Sequence, residues 1–344
     1  MFWKNIIPAA VALAGVAEAV LPRGSSPEYI KYTTLTGFFM QDDPATNPNT
    51  FDYTAHNFGL IDQVYSTDGP SMVGKTQWQR FANYVFELNR ASGRFVQYKV
   101  FWFGRHGEGY HNAAETFYGT PAWNCYWSVR DGNATATWAD AHIDAAGVAQ
   151  AEVAAAFWAE QIKKQKIHTP DSYYTSPLTR CLETANITFS TLDLPDRHPF
   201  IPTVKELLRE SISGHTCDRR SNETYIHDNF PTYEIEAGFT EQDLLWKPLE
   251  GETTVDQAIR SKVVMDDIFS TDSNTWISVT SHSGEIGSIL SILGHQPFSL
   301  VTGAVIPVLV KAETVKGTAT PTATQAYIPI STCSTQPPLP TATS

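Results

Sequence analysis

The chain has 344 residues and a formal net charge of −12, and 42% of it is hydrophobic, with 9 Trp and 18 Phe. That charge excludes a nucleic-acid binder working by broad phosphate contact, and the apolar content excludes a globally disordered chain. The length suits one α/β domain with insertions.

In chain order, Lys4 and the short apolar run "IIPAAVALAGVA" precede Ala17-Glu18-Ala19, a small-x-small pattern. Residues 1–19 therefore read as a secretory signal too short to span a bilayer, leaving no membrane attachment after cleavage. Residues 20–94 contain the turn-rich "QDDPATNPNT" and then "TQWQRFANYVFELNRAS". In the latter, Trp78, Phe81, Tyr84, Val85 and Leu88 recur at three and four residues, which predicts a helix with one buried face. This extension is too apolar for a free linker and is expected to pack on the main domain.

Residues 95–103 read as a core strand. "DAAGVAQAEVAAAFWAEQIKKQK" predicts a helix whose buried side carries Val148, Ala151, Ala155, Trp158 and Ile162. "DSYYTSP" is a short strand running into the helical "LTRCLETANITF", and "TWISVTSH" is a strand followed by the helical "GEIGSILSIL". "VIPVLVKAE" is a last strand, and residues 313–344, rich in Thr, Pro and Ser, read as a loose O-glycosylated tail. Alternating strands and helices predict an α/β fold. The sequons at Asn133, Asn186 and Asn222 agree with secretion. The four cysteines allow three fully paired connectivities. They show neither CxxC spacing nor a partnering His cluster, so no metal site is expected.

Three strand ends carry polar sets: Gly104-Arg105-His106-Gly107, Thr175 to Arg180, and Thr280 to Gly284. In an open α/β sheet, ligands bind at such carboxyl ends. If these strands are neighbours, two arginines and two histidines converge. Arginine forks suit phosphate oxygens, and histidine can act as a nucleophile.

"RHGEGYHN", "SPLTRCLETA", "LLRESISGHTCDRR" and "VTSHSGEI" resemble, in that order, the histidine phosphatase superfamily in its phosphoglycerate-mutase-like branch, and within it the fungal phosphomutase-like members. The resemblance spans residues 95–312 and implies a three-layer α/β/α sandwich around a mostly parallel sheet. His282-Ser283 stands where the phytase branch has His-Asp, which points away from phytase. The resemblance implies that His106 is a transiently phosphorylated nucleophile, and that Arg105, Arg180, His282 and Asn112 complete the phosphate pocket. It makes Glu210 the proton donor, with Glu108 and Glu206 as nearby alternatives. It sets Arg219 and Arg220 against the substrate beyond its phosphate, although both equally suit a solvated pair. Cys181 and Cys217 lie in segments shared with intracellular relatives and so read as free thiols, leaving Cys125 and Cys333 as the pair if one disulfide forms. The implied activity is a secreted, cofactor- and metal-independent phosphomonoesterase acting on a small phosphorylated metabolite. A mutase with the same chemistry and a non-catalytic or repurposed anion binder remain the alternatives.

Overall fold

A computed structural model describes residues 28–317 and 327–339. The signal-like segment lies outside them, as does much of the Thr/Pro/Ser-rich tail. In chain order the elements begin with β1 (Glu28–Thr34), α1 (Gln77–Ala91), β2 (Val96–Arg105) and α2 (Tyr110–Tyr118). The short α3 (Thr120–Ala122) leads into a π-turn at Trp123–Trp127, followed by α4 (Ala145–Gln165), β3 (Ser172–Thr175) and α5 (Thr179–Phe189). Then come β4 (Thr203–Val204), α6 (Glu223–Asn229), β5 (Glu234–Ile235), β6 (Glu250–Gly251) and α7 (Thr254–Thr271). The last are β7 (Trp276–Ser281), α8 (Ser283–Ile292), β8 (Val305–Lys316) and β9 (Ile328–Pro329).

Seven strands form one sheet in the order β1-β8-β2-β7-β3-β4-β5, parallel except where β8 pairs with β1 and β2. The predicted α/β/α sandwich is therefore present. Val100 to Phe103 are buried without interruption, the mark of a strand covered on both faces. Trp102 packs on Trp78 of α1 and Trp158 of α4, with ring centres 6.1 and 5.1 Å away. On the opposite face, Phe101 meets Phe269 of α7 at 5.6 Å. Each such side chain contributes roughly 1.5–3 kcal/mol by leaving water. Helix α1 buries Trp78, Phe81 and Val85, with Tyr84 and Leu88 at the margin, and Thr76 caps it.

Three boundaries differ from the sequence reading. The buried face of α4 centres on Gly147, Ala151, Ala154, Trp158 and Gln161. Val148, Ala155 and Ile162 are only half-buried, because close approach of α4 to the Gly107 loop turns Gly147 inward. Strand β8 runs to Lys316, beyond 312, because β1 pairs along its far half. Residues 327–339 are not wholly free: β9 pairs with β6, and Cys125 and Cys333 form a disulfide while Cys181 and Cys217 stay reduced and buried. No helix among the described residues is long and apolar enough to cross a membrane.

Candidate active site

β2, β7 and β3 are adjacent, and their registers align Arg105 with Ser281 and Thr175 with Thr280. The residues that follow therefore emerge together: His106 after β2, Ser176 after β3 and His282 after β7. His106 is 1% exposed, and its Nδ1 lies 2.7 Å from the carbonyl oxygen of Gly107. A carbonyl only accepts, so this contact assigns the proton to Nδ1 and leaves the Nε2 lone pair free. The tight turn after His106 needs glycine, since a Cβ on Gly107 would fall inside the backbone of Gly147.

Arg180, buried at the start of α5, donates from Nε to His282 Nδ1 (3.2 Å), from Nη1 to the Cys217 carbonyl (2.6 Å) and from Nη2 to Asp218 Oδ1 (3.2 Å). Accepting at Nδ1, His282 carries its proton on Nε2 and donates it to Ser176 Oγ at 2.8 Å. Arg105 donates from Nη1 to the Leu300 carbonyl at 2.8 Å, while its buried Nε–H has no protein partner. Beside it opens a cleft of about 490 Å³ lined by Arg105, Glu108, Asn112, Glu115, Thr302 and their neighbours.

The His106 ring is 5.1 Å from His282 and 5.5 Å from His111. Burial, followed by the Arg180 guanidinium, holds all three imidazoles well below the usual histidine range. Three neutral rings and two cationic forks make a site for a dianion with a free nitrogen lone pair among them.

A profile of the histidine phosphatase superfamily (branch 1) matches residues 101–305. The chain belongs to this superfamily. A probable phosphoglycerate mutase of Arthroderma benhamiae is 53% identical over 287 residues, 83% of this chain and 85% of that protein. Phosphomutase-like protein 3 of Candida albicans is 34% identical over 82% of this chain and 81% of its own length. A probable phosphoglycerate mutase of Saccharomyces cerevisiae is 32% identical over 62% of this chain and 79% of its own length. Membership of the histidine phosphatases supports a phosphatase or mutase activity on small phosphorylated substrates.

The remaining predicted residues of this superfamily member divide into two groups. Asn112, in the first turn of α2, accepts the Gly109 N–H on Oδ1 at 3.0 Å and lines the cleft. Glu210 accepts from Ser211 N (2.8 Å) on Oε1 and from Gly284 N (3.2 Å) on Oε2. A Cβ on Gly284 would collide with this carboxylate. Of the competing acids, Glu206 is consumed by Arg209 (3.0 Å) and Arg220 (2.7 Å). Glu108 lines the cleft, and burial together with Asp144 pushes its carboxyl up. Arg219 lies over Trp246 and pairs with the exposed Asp131 at 2.8 Å, which leaves it able to swing.

Arg220 departs from its expected substrate role. It is buried, and its Nε, Nη1 and Nη2 are spent on Glu206, Ser221 O, Thr240, Glu241 O and Gln242 O. No donor remains for a ligand, so this arginine organises the 239–243 loop. The sequence analysis passes over His111, although it adjoins Asn112 in the same motif. The structure buries it beside His106 with Nδ1 unpartnered. A second histidine one position before a motif asparagine was the available signal. Asp218 and Ser176 were missed as well: they orient Arg180 and His282. His215, Cys217 and Asp218 bring potential ligand atoms within 4.8 Å of one another. Asp218 is already engaged by Arg180 and Ser213, and burial pushes the Cys217 thiol up, so the trio is built around a cation already present.

Proposed function

We propose that the chain is a metal-independent phosphomonoesterase of the secretory pathway, hydrolysing a small phosphorylated metabolite through phosphohistidine at His106. The observation that carries this is the His106 Nε2 lone pair, left free by the Nδ1 contact to Gly107, beside an arginine whose buried Nε–H has no partner. The lone pair attacks phosphorus and the P–O bond to the alcohol breaks, with Glu210 delivering a proton to the departing oxygen. The Glu210 carboxylate then takes a proton from water, and the water oxygen attacks phosphorus. The P–N bond breaks, phosphate leaves and Nε2 is restored. Arg105 and Arg180 supply the charge that metal ions supply at other phosphoryl-transfer sites.

The relatives named as phosphoglycerate mutases favour a second reading, in which the same phosphohistidine returns its group to the substrate. The Cys125–Cys333 disulfide, and the exposure of the sequon residues Asn133 and Asn186, support passage through an oxidising compartment. Asn222 is half-buried and caps α6.

The test is rapid-quench labelling with a radioactive phosphomonoester, peptide mapping, and phosphate release with and without a chelator. An acid-labile label on His106, with phosphate released despite the chelator, is the expected result. Label on another residue ends the mechanism. Transfer to a second substrate molecule without release selects the mutase, and loss of activity on chelation removes metal independence.

A further inference from the structure

Glu210 lies in an irregular stretch, residues 209–215, with little strand or helix pairing to hold its backbone. One buried arginine takes that place. Arg260 of α7, 8% exposed, donates from Nη1 to the carbonyls of Leu207 (2.7 Å) and Arg209 (3.0 Å), and from Nη2 to the Glu210 carbonyl (3.1 Å). Its opposite edge forks onto Glu252, Nη2 to Oε1 at 2.6 Å and Nε to Oε2 at 3.1 Å. Glu252 closes the bracket from the other side: Oε1 accepts the Ile212 N–H, and its own N–H donates to the Ile212 carbonyl, each at 2.8 Å. The pair therefore grips the chain on both sides of Glu210, from residue 207 to residue 212. Glu252 directly follows β6, which β9 backs from the C-terminal segment.

We infer that Arg260 and Glu252 are positioning residues for the proton donor. They fix the backbone from which the Glu210 carboxylate is aimed, while Gly284 fixes its far oxygen. The inference rests on Glu210 being the acid. Neither residue lies in the motifs that mark the site, and their nearest motif neighbour is reached only through folding. A proton donor displaced by a fraction of an ångström matters most when the leaving group is a poor one, because only then is the proton needed early.

The experiment compares an alkyl phosphate with an activated aryl phosphate for Glu252→Gln, Arg260→Lys, Glu210→Gln and the double variant Glu210→Gln/Glu252→Gln, with thermal unfolding of each. Glu252→Gln keeps the shape and weakens the fork; Arg260→Lys keeps the charge and loses the fork. Each is expected to lower kcat on the alkyl phosphate about 10-fold more than on the aryl phosphate, with KM unchanged. In the Glu210→Gln background, Glu252→Gln is expected to add less than about twofold, because residues acting through one group are not additive. Equal losses on both substrates by Glu252→Gln and Arg260→Lys, or full additivity with Glu210→Gln, overturns the inference while leaving Glu210 as the acid. Equal losses on both substrates by Glu210→Gln itself overturns the acid assignment, and the positioning role with it. If Glu252→Gln does not fold, Arg260→Lys decides.

Discussion

Strand β2 carries two cations six residues apart on the same side, Lys99 buried and Arg105 half-buried, and they have opposite fates. Lys99, 2% exposed, donates to the carbonyls of Asp272 (2.6 Å) and Asn274 and lies over the Phe269 ring. Burial pushes its ammonium down to about 8. Its contacts all belong to the last turn of α7 and the turn from α7 to β7, so it is a closed structural tie. Arg105 has one carbonyl partner, and its buried Nε–H has no protein partner. Leaving a buried donor unpaired costs about 1–3 kcal/mol, a cost with no structural return. An unmatched Nε–H does not by itself mark function, since Arg209, buried in its ion pairs with Glu206 and Asp243, has one as well; Arg105 differs in having no carboxylate partner among the described residues and in lining the cleft. Arg220, buried and saturated, falls on the Lys99 side of this line.

The largest effect is expected at Arg105. Arg105→Gln should lower turnover about 10²- to 10³-fold, the loss typical of a missing charge-stabilising donor, while unfolding free energy changes by less than about 1 kcal/mol. Steady-state rates beside urea denaturation check both halves. Lys99→Met should do the reverse. It strands two part-buried carbonyls and should cost about 1–3 kcal/mol of stability, with kcat within a fewfold of the parent. Loss of activity in a stable Lys99→Met protein would erase the distinction.

The next effect sharpens it through pH. His106, His111 and His282 are held neutral in the fold, so below the ordinary histidine range the unfolded chain binds protons that the native state refuses. Their contribution is fully present above about 6.5 and is lost as pH falls, at up to about 1.4 kcal/mol per pH unit for each ring. Denaturation midpoints between pH 5 and 7 should show this slope, and His111→Gln should reduce it by about a third. The same depression keeps the nucleophile neutral in mild acid, so kcat/KM should persist below the usual histidine range. The smallest effect is at the rim. The Arg219–Asp131 pair is exposed, so Asp131→Ala should change stability by less than about 1 kcal/mol, and Arg219→Ala should act on KM more than on kcat.

Much of this was legible before folding. The alternation of strands and helices, the α1 face through Trp78, Phe81 and Val85, and the polar sets after β2, β3 and β7 are all local patterns, set by the 2.0 and 3.6 periods and by strand-end chemistry. The short strands β4 and β5 were not legible, because two residues carry no period. Helix α7, with Gln257, Arg260 and Ser261 on its buried side, hides a polar face that periodicity reads as solvent.

By itself, the sequence determined the architecture and the motif residues His106, Arg105, Arg180 and His282, because each follows from a contiguous pattern a few residues long. Only the tertiary structure decided which cations stay open. Arg180, Arg219 and Arg220 look alike along the chain, yet one faces two imidazoles, one the rim, and one is spent on a loop about 20 residues away. The same holds for His111 beside His106 and for Arg260 beneath Glu210. Hydrogen-bond satisfaction depends on partners brought from distant segments, and burial of a polar group has no period in the sequence to announce it.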